Sequence, residues 1–270
     1  MNANYFPAAI KKTGLIWICL LSLLSGCHDS DEPRPDSGDW LETRLASMNK
    51  PRPADAYNYP CLPGTSAWSE LATGEERQEA CLIPDSIVLR QSTDGLIQAI
   101  WEYPLLSDLI YFSSSTGLQK VFAESFIPQS NMYQELLTRE DLTDCLTERY
   151  RLLAPALDRE YITCVFEALL GMDEIISRMS LAEQKEIIGL AIEKDQIRKK
   201  QETVNLPPRS IAWYLIGRIL QLAAYEPFQL ECAQNEVLSN FLKTSILAEP
   251  DETINRIALF GKEFIKNKSN

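Results

Sequence analysis

The chain has 270 residues, 45% hydrophobic and 24% charged, which is the balance of an ordinary globular protein rather than a disordered or membrane-spanning one. Its 38 Asp and Glu outnumber 26 Lys and Arg, and a formal net charge of −12 repels phosphate backbones and anionic headgroups alike. Nucleic acid is therefore excluded as a partner, and attachment to a membrane has to come from something other than charge.

The chain opens with Lys11 and Lys12, then an apolar run from Gly14 to Leu24. That run fits the ~7–15 residues of a signal-peptide core and falls short of the ~20 a spanning helix needs. Leu24-Ser25-Gly26-Cys27 follows directly and resembles the lipobox of bacterial lipoproteins. Small Ser25 and Gly26 let an extended chain enter a protease site, and the Cys27 thiol is the one strong nucleophile there to accept a diacylglyceryl group. The resemblance implies cleavage by signal peptidase II, a signal peptide over 1–26, and lipidation of Cys27. A single acyl chain binds a membrane reversibly, whereas two or more hold it stably, so the lipid on Cys27 would be a lasting anchor to the bacterial outer membrane.

Residues 27–55 read as a tether. Asp29, Asp31, Glu32, Asp36 and Asp39 repel one another, and Pro33, Pro35, Pro51 and Pro53 stiffen the backbone. The acids after Cys27, interrupted by His28 and Ser30, resemble the surface-export signal of Bacteroidota lipoproteins. That implies display on the cell surface, with the periplasmic leaflet as the alternative.

From Thr65 onward the pattern is helical, helped by a low glycine content of 11. Thr65 or Ser66 caps a helix through Trp68, Pro84-Asp85 opens another, and Ser92-Thr93 caps a stretch that Pro104 ends. Further stretches are expected near 105–112, 116–126, 130–138, 140–153 and 157–171. Ser180 and Glu183 have capping-box spacing ahead of Leu181–Gln201. Arg198, Lys199 and Lys200 then fall where the helix dipole favours cations, and a basic binding patch is the sharper alternative. Ser210–Tyr225 is apolar nearly all round and reads as a core helix, with Phe228–Thr244 and Asp251–Lys266 packing on it. The expected fold is all-α, an irregular array or bundle of about ten short helices packed as antiparallel hairpins, with a solenoid as the alternative. Its domain would span 56–270, and a division into lobes 56–155 and 156–270 stays open.

Seven cysteines reduce to five once Cys19 leaves with the leader and Cys27 is lipidated. An exported location permits disulfides. A hairpin turning at Ala154-Pro155 would bring Cys145 and Cys164 to one level, roughly 15 Å from the turn at ~1.5 Å per residue. This makes them the favoured pair, ahead of Cys61 and Cys81, though two buried thiols acting as small hydrophobes would look the same in sequence.

The single histidine, His28, sits beside the lipidation site, so the body has no imidazole for a Ser-His-Asp or Cys-His centre or for a His-ligated zinc. CxxC, GxxxxGK[ST], GxGxxG and GxSxG motifs are absent. No catalytic residue, metal ligand or cofactor is assigned. Carboxylate pairs remain open, since acids are abundant. Ala123-Glu124-Ser125 is faintly similar to the Glu-Ser of lytic transglycosylases, but the glycine-rich segment of that family does not follow, and Glu124 is expected to face solvent. Trp101 and Trp213 lie in apolar stretches and read as core, leaving Trp68 as the candidate exposed aromatic for a sugar.

Tyr59-Pro60, Pro63-Gly64-Thr65, Trp68, Ala80-Cys81-Leu82-Ile83-Pro84, Ser92-Thr93, Tyr103-Pro104-Leu105 and Asp108 together resemble uncharacterised secreted proteins and lipoproteins of Bacteroidota. The similarity runs over roughly 59–150 and extends to Tyr225-Glu226-Pro227-Phe228. It implies an exported helical domain and no particular activity. The expectation is therefore a lipid-anchored helical protein that binds or scaffolds a protein or glycan partner. A carboxylate-dependent glycan-cleaving enzyme, or a glycan binder without catalysis, is the alternative.

Overall fold

The computed structural model describes residues 51–111, 117–153, 160–200 and 206–267, so Cys27 and nearly all of the leader and tether lie outside the described residues. Helices begin where short polar side chains accept from exposed N–H groups. Thr65 takes the Trp68 N–H and opens α1 (Ser66–Glu70), and Thr73 with Glu76 closes a capping box on α2 (Gly74–Ala80). After α3 (Asp85–Val88), Ser92 caps α4 (Thr93–Trp101) through the Gly95 N–H. Next come α5 (Asp108–Tyr111) and α6 (Leu118–Glu124), then a 3-10 turn (Ile127–Gln129) and α7 (Asn131–Leu136), which Ser130 caps. The second half holds α8 (Leu142–Leu152), α9 (Glu160–Leu170), α10 (Asp173–Ile176) and α11 (Leu181–Lys200). The Ser180 and Glu183 box does form at the head of α11: Glu183 N donates to Ser180 Oγ at 3.3 Å and Ser180 N to Glu183 Oε2 at 2.7 Å. The last elements are α12 (Leu206–Leu222), α13 (Glu226–Gln234), α14 (Glu236–Thr244) and α15 (Pro250–Lys266). No strand occurs among the described residues, and the fold is all-α.

The core is organised around α12. Ile211, Ala212, Leu215, Ile216, Ile219 and Leu220 are all fully buried. Each Leu or Ile side chain contributes ~1.5–3 kcal/mol by leaving water. Around this helix pack α6, α9, α10, α11, α13, α14 and α15. The amphipathic α15 supplies Ile254, Ile257 and Phe264 from one stripe. Gly261 lies in that stripe, and a Cβ there would sit 3.2 Å from Ile188 Cγ2 and 3.3 Å from Ile216 Cγ2, so glycine lets α15 lie down on α11 and α12 together. Ahead of α6, Gly117 has φ +83° and presses against Thr244 and Ser245 at the end of α14. Only glycine takes that backbone without strain.

Three expectations change. The solenoid alternative fails because α12 gathers neighbours from across the sequence instead of stacking on the next repeat. The stretches 56–155 and 156–270, left open as lobes, pack on each other among the described residues, with α8 on α11 and α6 on α9 and α12. Finally, Arg52 and Asp55, inside the segment read as tether, already bond to the helical body. Asp55 accepts from Ser92 Oγ at 3.1 Å at the head of α4, and Arg52 Nε donates to Glu102 Oε1 at 2.9 Å near its end.

Candidate functional site

Two adjacent residues of α8, Arg149 and Tyr150, are buried and reach into different polar clusters. Arg149 serves α4, where Asp94, Gln98 and Glu102 recur every fourth residue and so share one stripe. Its Nε donates to Asp94 Oδ1 at 2.9 Å and its Nη1 to Gln98 Oε1 at 2.8 Å. Gln98 Nε2 passes the chain on to Glu102 Oε1 at 2.8 Å. Glu102 is closed off by Arg52, whose Nη2 also donates to Tyr57 O at 3.0 Å and Asn58 Oδ1 at 2.8 Å. The start of the body is thus held to the rest through a line of charge-assisted hydrogen bonds.

Tyr150 serves the second cluster. Its hydroxyl donates to Glu167 Oε1 at 2.8 Å, and Arg198 Nη2 donates to the same oxygen at 2.9 Å. Lys194, one turn before Arg198 on α11, donates to Leu153 O and lies 4.9 Å from the Tyr150 ring centroid. Glu167 is 0% exposed, Arg198 1% and Lys194 5%.

Burial sets the protonation behaviour here. It raises the Glu167 carboxyl above the usual carboxylate range, against the pull of Arg198 and the hydrogen bond from Tyr150. It pushes Lys194 down to about 8, with Glu167 resisting. Burial also acts to lower Arg198, but Glu167, Cys164 and Tyr150 outweigh it and carry the guanidinium above its ordinary value. The pair's two shifts point opposite ways for the ion pair. The guanidinium keeps its proton in any case, so Glu167 is the member whose charge is conditional.

Glu, Lys and Tyr side chains are the materials of proton transfer, yet all of these are enclosed. The cluster ties α8, α9 and α11 together, and its burial leaves no face for a substrate to meet.

The residues singled out from sequence fare differently. Cys27 lies outside the described residues. No disulfide joins any of Cys61, Cys81, Cys145, Cys164 and Cys232 in the structure. Tyr150 stacks on Phe166 and its hydroxyl bonds Glu167. Cys145 Sγ sits 3.6 Å from Asp141 Oδ2, and Cys164 is buried beside the Glu167 cluster. Trp68 is half-buried rather than exposed, with the Arg77 guanidinium 5.9 Å from its ring centroid. Trp101 and Trp213 are core residues. Glu124 ends α6 facing solvent, 3.9 Å from Lys120 Nζ. Arg198 does lie in the last turn of α11, but buried as half of an ion pair with Glu167 and not in an exposed basic patch.

The two clusters escaped the sequence reading. The one signal was the spacing of four in Asp94, Gln98, Glu102 and in Lys194, Arg198, which places charge on faces that also carry apolar residues. Among the described residues no group of three His, Cys, Asp or Glu is arranged to hold a metal, and no helix is long and apolar enough to cross a membrane. No protein-family model matches the chain, and no curated protein or solved structure matches it either.

Proposed function

We propose that the chain is a lipid-anchored outer-membrane protein, displayed at the cell surface, whose helical body binds or scaffolds a protein or glycan partner without catalysis. The observation that carries this is Leu24-Ser25-Gly26-Cys27, placed directly after an apolar run with Lys11 and Lys12 before it. The acids and prolines that follow suit a spacer holding the body away from an anionic surface. The enclosed state of the Glu167 cluster supports a structural use of the body's buried charge over a catalytic one.

The test has two arms. Cells fed labelled palmitate should label the wild-type chain, while Cys27→Ala should stay unlabelled and unprocessed. Native protein extracted in mild detergent should bring down a defined partner that Cys27→Ala, lacking its anchor, fails to retain at the membrane. Labelling that survives Cys27→Ala refutes the anchor. Release of sugars from a cell-wall preparation by the purified chain, with nothing co-purifying, refutes the non-catalytic reading.

A further inference from the structure

Between Cys61 and Cys81 the chain makes an excursion away from the core. Cys61 is 8% exposed and Cys81 1%, but no residue from 62 to 80 is buried. Within it, α1 and α2 contribute no buried side chain. The two roots of the excursion are fixed to the same place. Tyr59, two residues before Cys61, sends its hydroxyl to Ala99 O at 2.9 Å and Met132 Sδ at 3.6 Å. Ile83, two residues after Cys81, accepts from Asn131 Nδ2 at 2.7 Å. Asn131 and Met132 are neighbours in the first turn of α7, so the segments bearing the cysteines converge there.

We propose that Cys61 and Cys81 form a redox site, joining as a disulfide across the neck of this excursion with an external disulfide as oxidant. The Cys61 thiolate attacks one sulfur of the external R–S–S–R and expels RS⁻, leaving a mixed disulfide on Cys61. The Cys81 thiolate then attacks the Cys61 sulfur and expels the second RS⁻. The two cysteines lose two electrons, the oxidant becomes two thiols, and the two protons released go to those thiolates. Cys61 takes the first step because it is the more exposed of the two. Burial first, and Cys61 beside it second, push the Cys81 thiol up to about 12, which makes the closing step slow at neutral pH and faster as pH rises. The bridge would fasten a flap that the core holds mainly through half-buried side chains such as Leu62 and Trp68. That it forms in the cell rests on the exported location proposed above, whereas the pairing itself does not.

Reduced full-length protein in detergent is treated with glutathione disulfide, alkylated, and cut with trypsin. Arg77 separates the two cysteines, so a bridge appears as two peptides joined, lighter by two hydrogen atoms than their sum. The expected result is a Cys61–Cys81 pair, with closure of the mixed disulfide accelerating roughly tenfold per pH unit above neutrality. Glutathione remaining separately on Cys61 and Cys81, or a bridge joining Cys145 to Cys164 in their place, overturns the proposal. Protein taken from cells under alkylation and found reduced, while the purified chain still pairs with glutathione disulfide, contradicts the exported location and leaves the pairing standing.

Discussion

Removing one partner of the Glu167–Arg198 pair should destabilise the body far more than replacing the whole cluster. In Arg198→Met, Glu167 keeps its hydrogen bond from Tyr150 and loses its cation at 0% exposure. Breaking such a buried pair from one side costs about 3–5 kcal/mol, because the remaining charge is uncompensated. The carboxyl then has to take up a proton on folding. Its pKa, already raised by burial, rises further without the guanidinium. A carboxyl raised in the folded state adds stability below its unfolded pKa and loses it as pH rises through the folded value. The cost of Arg198→Met should therefore be greater at pH 7.5 than near pH 5. The combined variant Tyr150→Phe, Glu167→Leu, Lys194→Met, Arg198→Met leaves no orphan ionisable group of the cluster and should come within about 1–2 kcal/mol of wild type. Urea unfolding followed by helical circular dichroism measures all of these. A single-variant loss below about 1 kcal/mol, or a loss independent of pH, would refute the enclosed ion pair.

The remaining expectations concern neighbouring features. Lys194 is held down at about 8 from 10.5, so the unfolded chain binds more protons between those values and folding gains stability as pH climbs through that window. Relative to Lys194→Met, the wild type should gain up to about 3 kcal/mol between pH 7 and 10.5, and a flat difference would contradict the burial of a charged amine. Ala224, two residues past the end of α12, has φ 51°, while Tyr225 N reaches back to Leu220 O at 3.1 Å. Ala224→Gly should raise stability by about 1 kcal/mol, measured by thermal melts, since glycine takes the left-handed conformation freely.

The helix starts were legible because capping is local: Thr65, Ser92 and Ser180 each accept from an N–H group three residues on. Of the single-turn helices, α3 was announced by Pro84-Asp85 and α5 fell within the stretch expected near 105–112, whereas α10 is too short to impose a period and was not read. Arg198 was misread for a physical reason. Its place near a helix end was explained by the helix dipole alone, while its ion pair depends on α9, which comes 28–38 residues earlier in the chain. The surroundings of the cysteines were hidden for a similar reason. Closeness in sequence around a turn favoured Cys145 with Cys164, but α8 packs on α11 and α9 on α12. The convergence of the chain around Cys61 and Cys81 depends on α7, far along the sequence from both.

The anchor is tested most directly by weighing the intact protein recovered from membranes. The account expects a polypeptide whose first residue is Cys27, heavier than its amino-acid sequence by a diacylglyceryl group. A chain that begins at Met1 and bears no fatty acid would contradict it.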